Sequence, residues 1–164
     1  MQFDLLVDLG IITVPDDYEH PTRLTTFDKQ NRQKFNYYNP NITEANFPNP
    51  SRILKPGDKF HVRAFKQVVL GTTSSEARMA FLANQNAVLT GAQGASLVFD
   101  QKRDQLPKGK WYASFDEKNR LWYADGYHGV PFVGCRSDGV FVFNLGRFGD
   151  VWHGDGAFLC FCDV

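Results

Sequence analysis

Histidine, aspartate and cysteine gather in the last quarter of the chain, at Asp125, His128, Cys135, Asp150, His153, Asp155, Cys160 and Cys162. An imidazole beside a carboxylate can move protons or hold a metal, and a thiol such as that of Cys135 can act as a nucleophile. None of these residues stands in a spacing that such chemistry uses: HExxH, GxSxG and the phosphate-binding Gly-rich loop are all absent. Cys160 and Cys162 with His153 are zinc ligands by type, but a single CxC lacks the second pair of a closed four-ligand site, so core thiols are expected and no metal. Asp125, Asp138 and Asp155 each precede a glycine, where a carboxylate commonly bonds its own backbone and favours a turn. No loop has the dense oxygen spacing of a calcium site. His128, in the run ADGYH, reads as a structural hydrogen-bonding residue, and the expectation is a chain that is not an enzyme and has no cofactor.

The elements that must position these residues are those of a single domain, since 164 residues suffice for one core. The formal net charge is zero, which gives no basic excess for a nucleic acid or an anionic membrane. MQFDLLVDLGIITV lacks a basic start and is interrupted by Asp4 and Asp8, so it reads as a buried strand rather than a signal peptide or membrane span. Three cysteines make no disulfide framework. Asn41-Ile42-Thr43 matches a glycosylation sequon, which carries little weight without a secretion signal.

Residues 15–57 are rich in Pro, Asn, Asp and Tyr. Their prolines break long elements, and Phe27, Phe35, Tyr37, Tyr38 and Phe47 predict an irregular arm packed onto something. Residues 1–58 are thus expected as an N-terminal strand and arm on a domain of residues 59–164. KFHVRAFKQVV alternates as a strand with Phe60, Val62 and Ala64 on one face. Thr73 with Glu76 predicts a capping box. A helix with Met79, Leu82, Ala83 and Asn86 at helical spacing follows, with Gly91 as its C-cap. A second helix places Ala95, Phe99 and Leu106 on one stripe before Pro107. KWYASF, VPFV, GVFVFNL and AFLCFCDV then read as short strands between Asp-Gly turns. The order predicts α+β with two helices and mostly antiparallel strands.

The last quarter is anomalous in composition. Lys, Glu, Gln and Met make up about a fifth of the chain through Trp122 and are absent from Tyr123 to Val164. Burial removes the polar three, but a buried stretch is not also rich in Gly, Asp and turns, nor does it keep Arg136 and Arg147. From Gly139 to Leu145, alternation gives Phe141, Phe143 and Leu145 a core face, while Val140, Val142 and Asn144 follow no rule. A skeleton of Leu, Phe, Trp, Pro and Gly carries irregular guests. Pyrimidine-ending codons with randomised first and second bases encode Tyr, Gly, Cys, Arg, Val, Asn, Asp and His, but never Lys, Glu, Gln, Met or Trp.

With QKRDQLPKGKWYASFDEKNR upstream, LWYADGYHGVPFVGCRSDGVFVFNLGRFGDVWHGDGAFLCFCDV resembles the variable proteins of diversity-generating retroelements, found in viruses and in small-genome bacteria and archaea. The resemblance covers about residues 60–164. It implies a C-type-lectin-like fold whose C-terminal face is diversified by error-prone reverse transcription and binds ligands without covalent chemistry. Carried onto this sequence, the variable region spans about 123–156. The ligand-binding positions are Tyr123, Gly129, Phe132, Gly134, Cys135, Arg136, Val140, Val142, Asn144, Arg147, Asp150, His153, Gly154 and Gly156. The implied ligand is a protein or cell-surface receptor, reached by display on a virion or cell through a partner. Such exchange is tolerable only where the guests face solvent and a scaffold supplies the stability. Trp111, Phe115, Trp122, Phe141, Phe143, Trp152, Phe158 and Phe161 are the expected core. The alternatives are a fixed-ligand lectin-like domain, a capsid-associated structural domain and, third, a hydrolase.

Overall fold

The computed structural model describes residues 2–164. In chain order they form β1 (Phe3–Thr13), α1 (Arg23–Asn31), β2 (Phe35–Tyr38), β3 (Lys59–Gln67), β4 (Thr73–Ser74), α2 (Ser75–Asn84) and α3 (Gly91–Lys102). There follow β5 (Lys110–Ala113), β6 (Trp122–Ala124), β7 (Tyr127–Cys135), β8 (Phe141–Arg147), β9 (Val151–Trp152) and β10 (Gly156–Asp163). The chain is α+β. Its large sheet has the order β1-β3-β10-β5-β7-β8-β2, with β6 paired to β7, while β4 and β9 form a separate two-stranded ladder. Among the described residues no helix is long and apolar enough to cross a membrane.

The sheet is mixed: most of its ladders are antiparallel, as expected, and two are parallel. β10 inserts between β3 and β5, antiparallel to the first and parallel to the second, and β2 runs parallel to β8. The last strand thereby joins strands from before and after α2 and α3, a long-range pairing that local alternation does not encode.

Among the described residues three α-helices form, not two. The extra one, α1, lies in the arm expected to be irregular, and β2 turns the end of that arm into a sheet edge. Arg23 fastens α1 to α3, donating to Ser96 Oγ at 2.9 Å and to Asp100 Oδ2 at 2.7 Å. Phe27 is buried among Phe35, Tyr38, Phe99 and Phe143. Further along the arm, Ser51 donates its hydroxyl and its N–H to the buried carboxylate of Asp116.

Capping differs from expectation by a residue. Ser74, not Thr73, caps α2, its Oγ accepting from Ala77 N at 3.0 Å. Thr73 is instead in β4, its hydroxyl taken by Gln67 and Arg78. The helix ends at Asn84, and the chain reverses at Asn86, whose φ of 55° is a left-handed conformation that asparagine tolerates. Ala83 is therefore exposed, and the buried face of α2 is Ser75, Arg78 and Leu82. Gly91, at φ +59°, opens α3 rather than closing α2. α3 is buried all round from Gly91 to Phe99, as a central helix must be. A Cβ on Gly94 would meet Thr90 Oγ1 at 1.9 Å and the Phe161 ring at 3.1 Å, so only glycine lets α3 approach β10 this closely.

Candidate functional site

Direct partners across a ladder share a face of the sheet, so register assigns side chains to faces. Ala157, Tyr112, Val133, Phe143 and Tyr38 form one row across β10, β5, β7, β8 and β2. All five are buried, and this is the α1 and α3 side. Gly156, Trp111, Gly134, Val142 and Tyr37 form the adjacent row on the opposite face. Here the sizes alternate, and the small residues act as seats for the large ones.

Trp111 lies on Gly134: a Cβ there would stand 2.1 Å from its Cε3. Phe132, two residues along β7, meets the Trp111 ring edge-on at 5.5 Å. Trp152 comes from β9 and rests on Gly146 and Gly156, whose Cβ atoms would lie 3.0 and 3.4 Å from its ring. Its Nε1 donates to Ser75 Oγ at 2.8 Å, and its ring meets Phe115 edge-on at 5.4 Å. The two tryptophans wall a hollow of about 460 Å³, completed by Tyr37, Phe132, Val142, Asn144, Val151, His153 and Asp155.

The polar groups of the hollow are few. Asp155 Oδ2 accepts from Trp111 Nε1 at 3.2 Å. Asn144 Oδ1 accepts from Asn39 Nδ2 at 2.9 Å and from Leu145 N at 2.8 Å, so the carbonyl is committed while the amide N–H groups are the side a ligand can use. Beneath the tryptophan, wholly buried Arg78 donates to Gly156 O at 2.7 Å, Thr73 Oγ1 at 3.0 Å and Gln67 Oε1 at 3.1 Å. Its guanidinium lies 5.5 Å from the Trp152 ring centroid. Burial pulls its pKa down to about 10, opposed by the charge of Asp155. Arg78 fixes the backbone at Gly156 and the underside of Trp152 together.

The expected binding residues divide by place. Phe132, Val142, Asn144, His153 and Gly156 come together at the hollow. Gly129 and Arg147 line a second recess of about 220 Å³ with Trp122 and Tyr127, where the Arg147 guanidinium lies 3.7 Å from the Tyr127 ring centroid. Tyr123 is exposed with its ring 4.7 Å from that of His128. Arg136 pairs with Asp138 at 3.2 Å, and Val140 is half-buried beside it. Asp150 and Gly154 are exposed in the turns around β9. Gly129, Gly134, Cys135 and Val142 do not face solvent: Gly129 packs against Leu145, Gly134 is the seat of Trp111, Cys135 is in the core cluster, and Val142 is buried between Gly134 and Tyr37. Gly156, the seat of Trp152, is buried too.

Of the expected core, Phe115, Phe143, Phe158 and Phe161 are buried, whereas Trp111, Trp122, Phe141 and Trp152 are only partly so. Composition and alternation give the two tryptophans of the hollow a scaffold role alone and Tyr37 only arm packing, and they do not single out Val151 or Arg78. The signal for Arg78 is its place four residues before Leu82 on an apolar helix face, where a cation needs a buried acceptor set. Among the described residues no three His, Cys, Asp or Glu side chains converge to hold a metal. No protein-family model, curated protein or solved structure matches this chain.

Proposed function

We propose that this chain is a non-enzymatic, C-type-lectin-like binding protein whose C-terminal face is diversified by a retroelement to recognise changing protein or receptor ligands. The observation that carries the reading is the hollow between Trp111 and Trp152. Five residues of the irregular set, Phe132, Val142, Asn144, His153 and Gly156, lie around it although 24 positions separate the first from the last. An aromatic-walled recess with a few convergent polar groups suits non-covalent recognition, in which a few anchored side chains carry most of the affinity.

Placement narrows the expected set. Phe132, Asn144 and His153 are open to exchange, and Val142 is open to exchange for residues that fit between Gly134 and Tyr37. Gly134, Cys135 and Gly156 are held by packing.

Deep sequencing of codons 123–156 and the flanking DNA across a natural population tests this. The expected result is substitution at Phe132, Val142, Asn144 and His153 in pyrimidine-ending codons, with Gly134 and Cys135 constant and an adenine-bearing repeat nearby. Uniform codons, or changes spread equally onto Tyr112, Val133 and Phe143, would overturn diversification and leave a fixed-ligand binder using the same hollow.

A further inference from the structure

β10 carries a second constellation, at the end away from the hollow. Cys160 and Cys162 are two residues apart on a strand, so both side chains leave on one face. Both are free thiols, Cys160 buried and Cys162 half-buried, and their Sγ atoms stand 3.9 Å apart. Across the ladder lie Arg63 and His61. Arg63 Nη2 is 3.7 Å from Cys162 Sγ and 4.0 Å from Cys160 Sγ. Its other polar side-chain contact is Gln85 Oε1 at 3.4 Å, its guanidinium lies 5.3 Å from the Phe65 ring centroid, and among the described residues it makes no ion pair, although Asp8 stands opposite it on β1. His61 turns to Asp8 instead, at 2.7 Å. Cys162 Sγ also lies 3.5 Å from the Gln85 carbonyl at the end of α2.

This pair is badly placed for a disulfide. Alternate residues on a strand keep their Cβ atoms about 6.6 Å apart at about 3.3 Å per residue, whereas a disulfide needs about 3.5–4.5 Å. β10 cannot easily contract, because β3 holds it on one side and Val88 bridges Phe161 on the other. A shared ion asks for less. Two metal–thiolate bonds of about 2.3 Å allow the sulfurs to stand up to about 4.6 Å apart, and 3.9 Å lies within that reach.

Ligand number and charge select the ion. Two sulfurs without a third His, Cys, Asp or Glu cannot close a tetrahedral zinc site. Soft thiolates favour copper(I), a monovalent d10 ion that two of them satisfy. Binding exchanges protons for metal, Cu⁺ + 2 RSH → [Cu(SR)₂]⁻ + 2 H⁺, with no change of oxidation state. The single negative charge produced falls beside the guanidinium of Arg63, which makes no ion pair among the described residues.

We propose that Cys160 and Cys162 bind one copper(I) ion as a bis-thiolate, with Arg63 as its counter-charge. The test is titration of the reduced full chain carrying Cys135→Ala with copper(I) against bicinchoninate, without oxygen. One equivalent is expected to move to the protein. Cys162→Ser, at the half-exposed position, is expected to weaken uptake at least a hundredfold, and Arg63→Gln about tenfold, with Arg63→Lys retaining most of it. Absence of uptake, or uptake unchanged by Cys162→Ser in a protein that melts like its parent, overturns the proposal. Equal affinity of Arg63→Gln and its parent overturns the counter-charge. The result bears on neither hollow nor diversification, which use the other end of β10.

Discussion

The two faces of the sheet, built from the same strands, are covered to different extents. On one, α1 and α3 overlie the row Ala157, Tyr112, Val133, Phe143 and Tyr38, and every member is buried. On the other, α2 covers only the β3 and β10 end, where Phe81 meets Phe65 at 4.7 Å and Phe158 at 5.8 Å. Beyond it, the row from Gly156 to Tyr37 has no helix over it, and the two tryptophans stand there on glycines. Backbone ladders hold the strands whatever their outward side chains are, so the uncovered half of one face can carry a recognition surface without weakening the fold. The covered face has no such freedom, because its helices are pinned by specific polar side chains.

The largest expected effect is on the covered face. Phe143→Ala removes a ring with no exposure that touches three other aromatic rings, and should cost about 4 kcal/mol in a denaturant melt. A loss no larger than that of an outward residue would abolish the distinction between faces. Arg23→Ala unpins α1 from α3 and leaves the Asp100 carboxylate half-compensated. About 3 kcal/mol is expected, because the Arg23 side chain is 8% exposed and its partner 29%.

Gly134→Ala probes the seats of the hollow. The added Cβ would also stand 2.7 Å from Val142 Cγ2, so Trp111 must lift, at about 2 kcal/mol and with a change in tryptophan fluorescence. An unshifted melt and spectrum would make Gly134 an ordinary exchangeable position.

Asp116 gives a pH test of the arm's second pin. Burial raises its pKa from the ordinary 3.8, only partly offset by the bonds from Ser51 and Glu117. The folded chain therefore keeps a proton that the unfolded chain has lost. The stability from this group is full below the ordinary value and falls as pH rises through the raised one. Denaturant melts across that range should show the fall in the parent and not in Asp116→Asn, and identical slopes would dismiss it. The smallest effect belongs to the exposed turns: Asp150→Ala should move stability by less than about 0.5 kcal/mol.

Much of the fold is legible in local pattern. Alternation marks KFHVRAFKQ as β3 with Phe60, Val62 and Ala64 buried, and the Ala95, Phe99 and Leu106 stripe marks α3 and its exit. The helix in the arm is not legible, because its nine residues have little periodic apolar signal and are ordered by contacts with α3. At the site, irregular composition singles out Phe132, Val142, Asn144 and His153. It does not separate them from Gly134, whose place beneath Trp111 is set by the β5–β7 register, or from Cys135, since one residue's step along β7 exchanges the faces of the sheet.

By itself, the sequence determined the strands β1, β3, β5, β7, β8 and β10, the two helices near the chain's centre, the Asp-Gly turns and the unusual composition of the last quarter, because each depends on neighbours within a few residues. Only the tertiary structure decided that β10 inserts between β3 and β5, that Tyr37 from the arm reaches the same row as Trp111, and that glycines lie beneath both tryptophans. Those are long-range registers. They are selected by the one arrangement that lets α1 and α3 bury a full face while α2 leaves part of the other open.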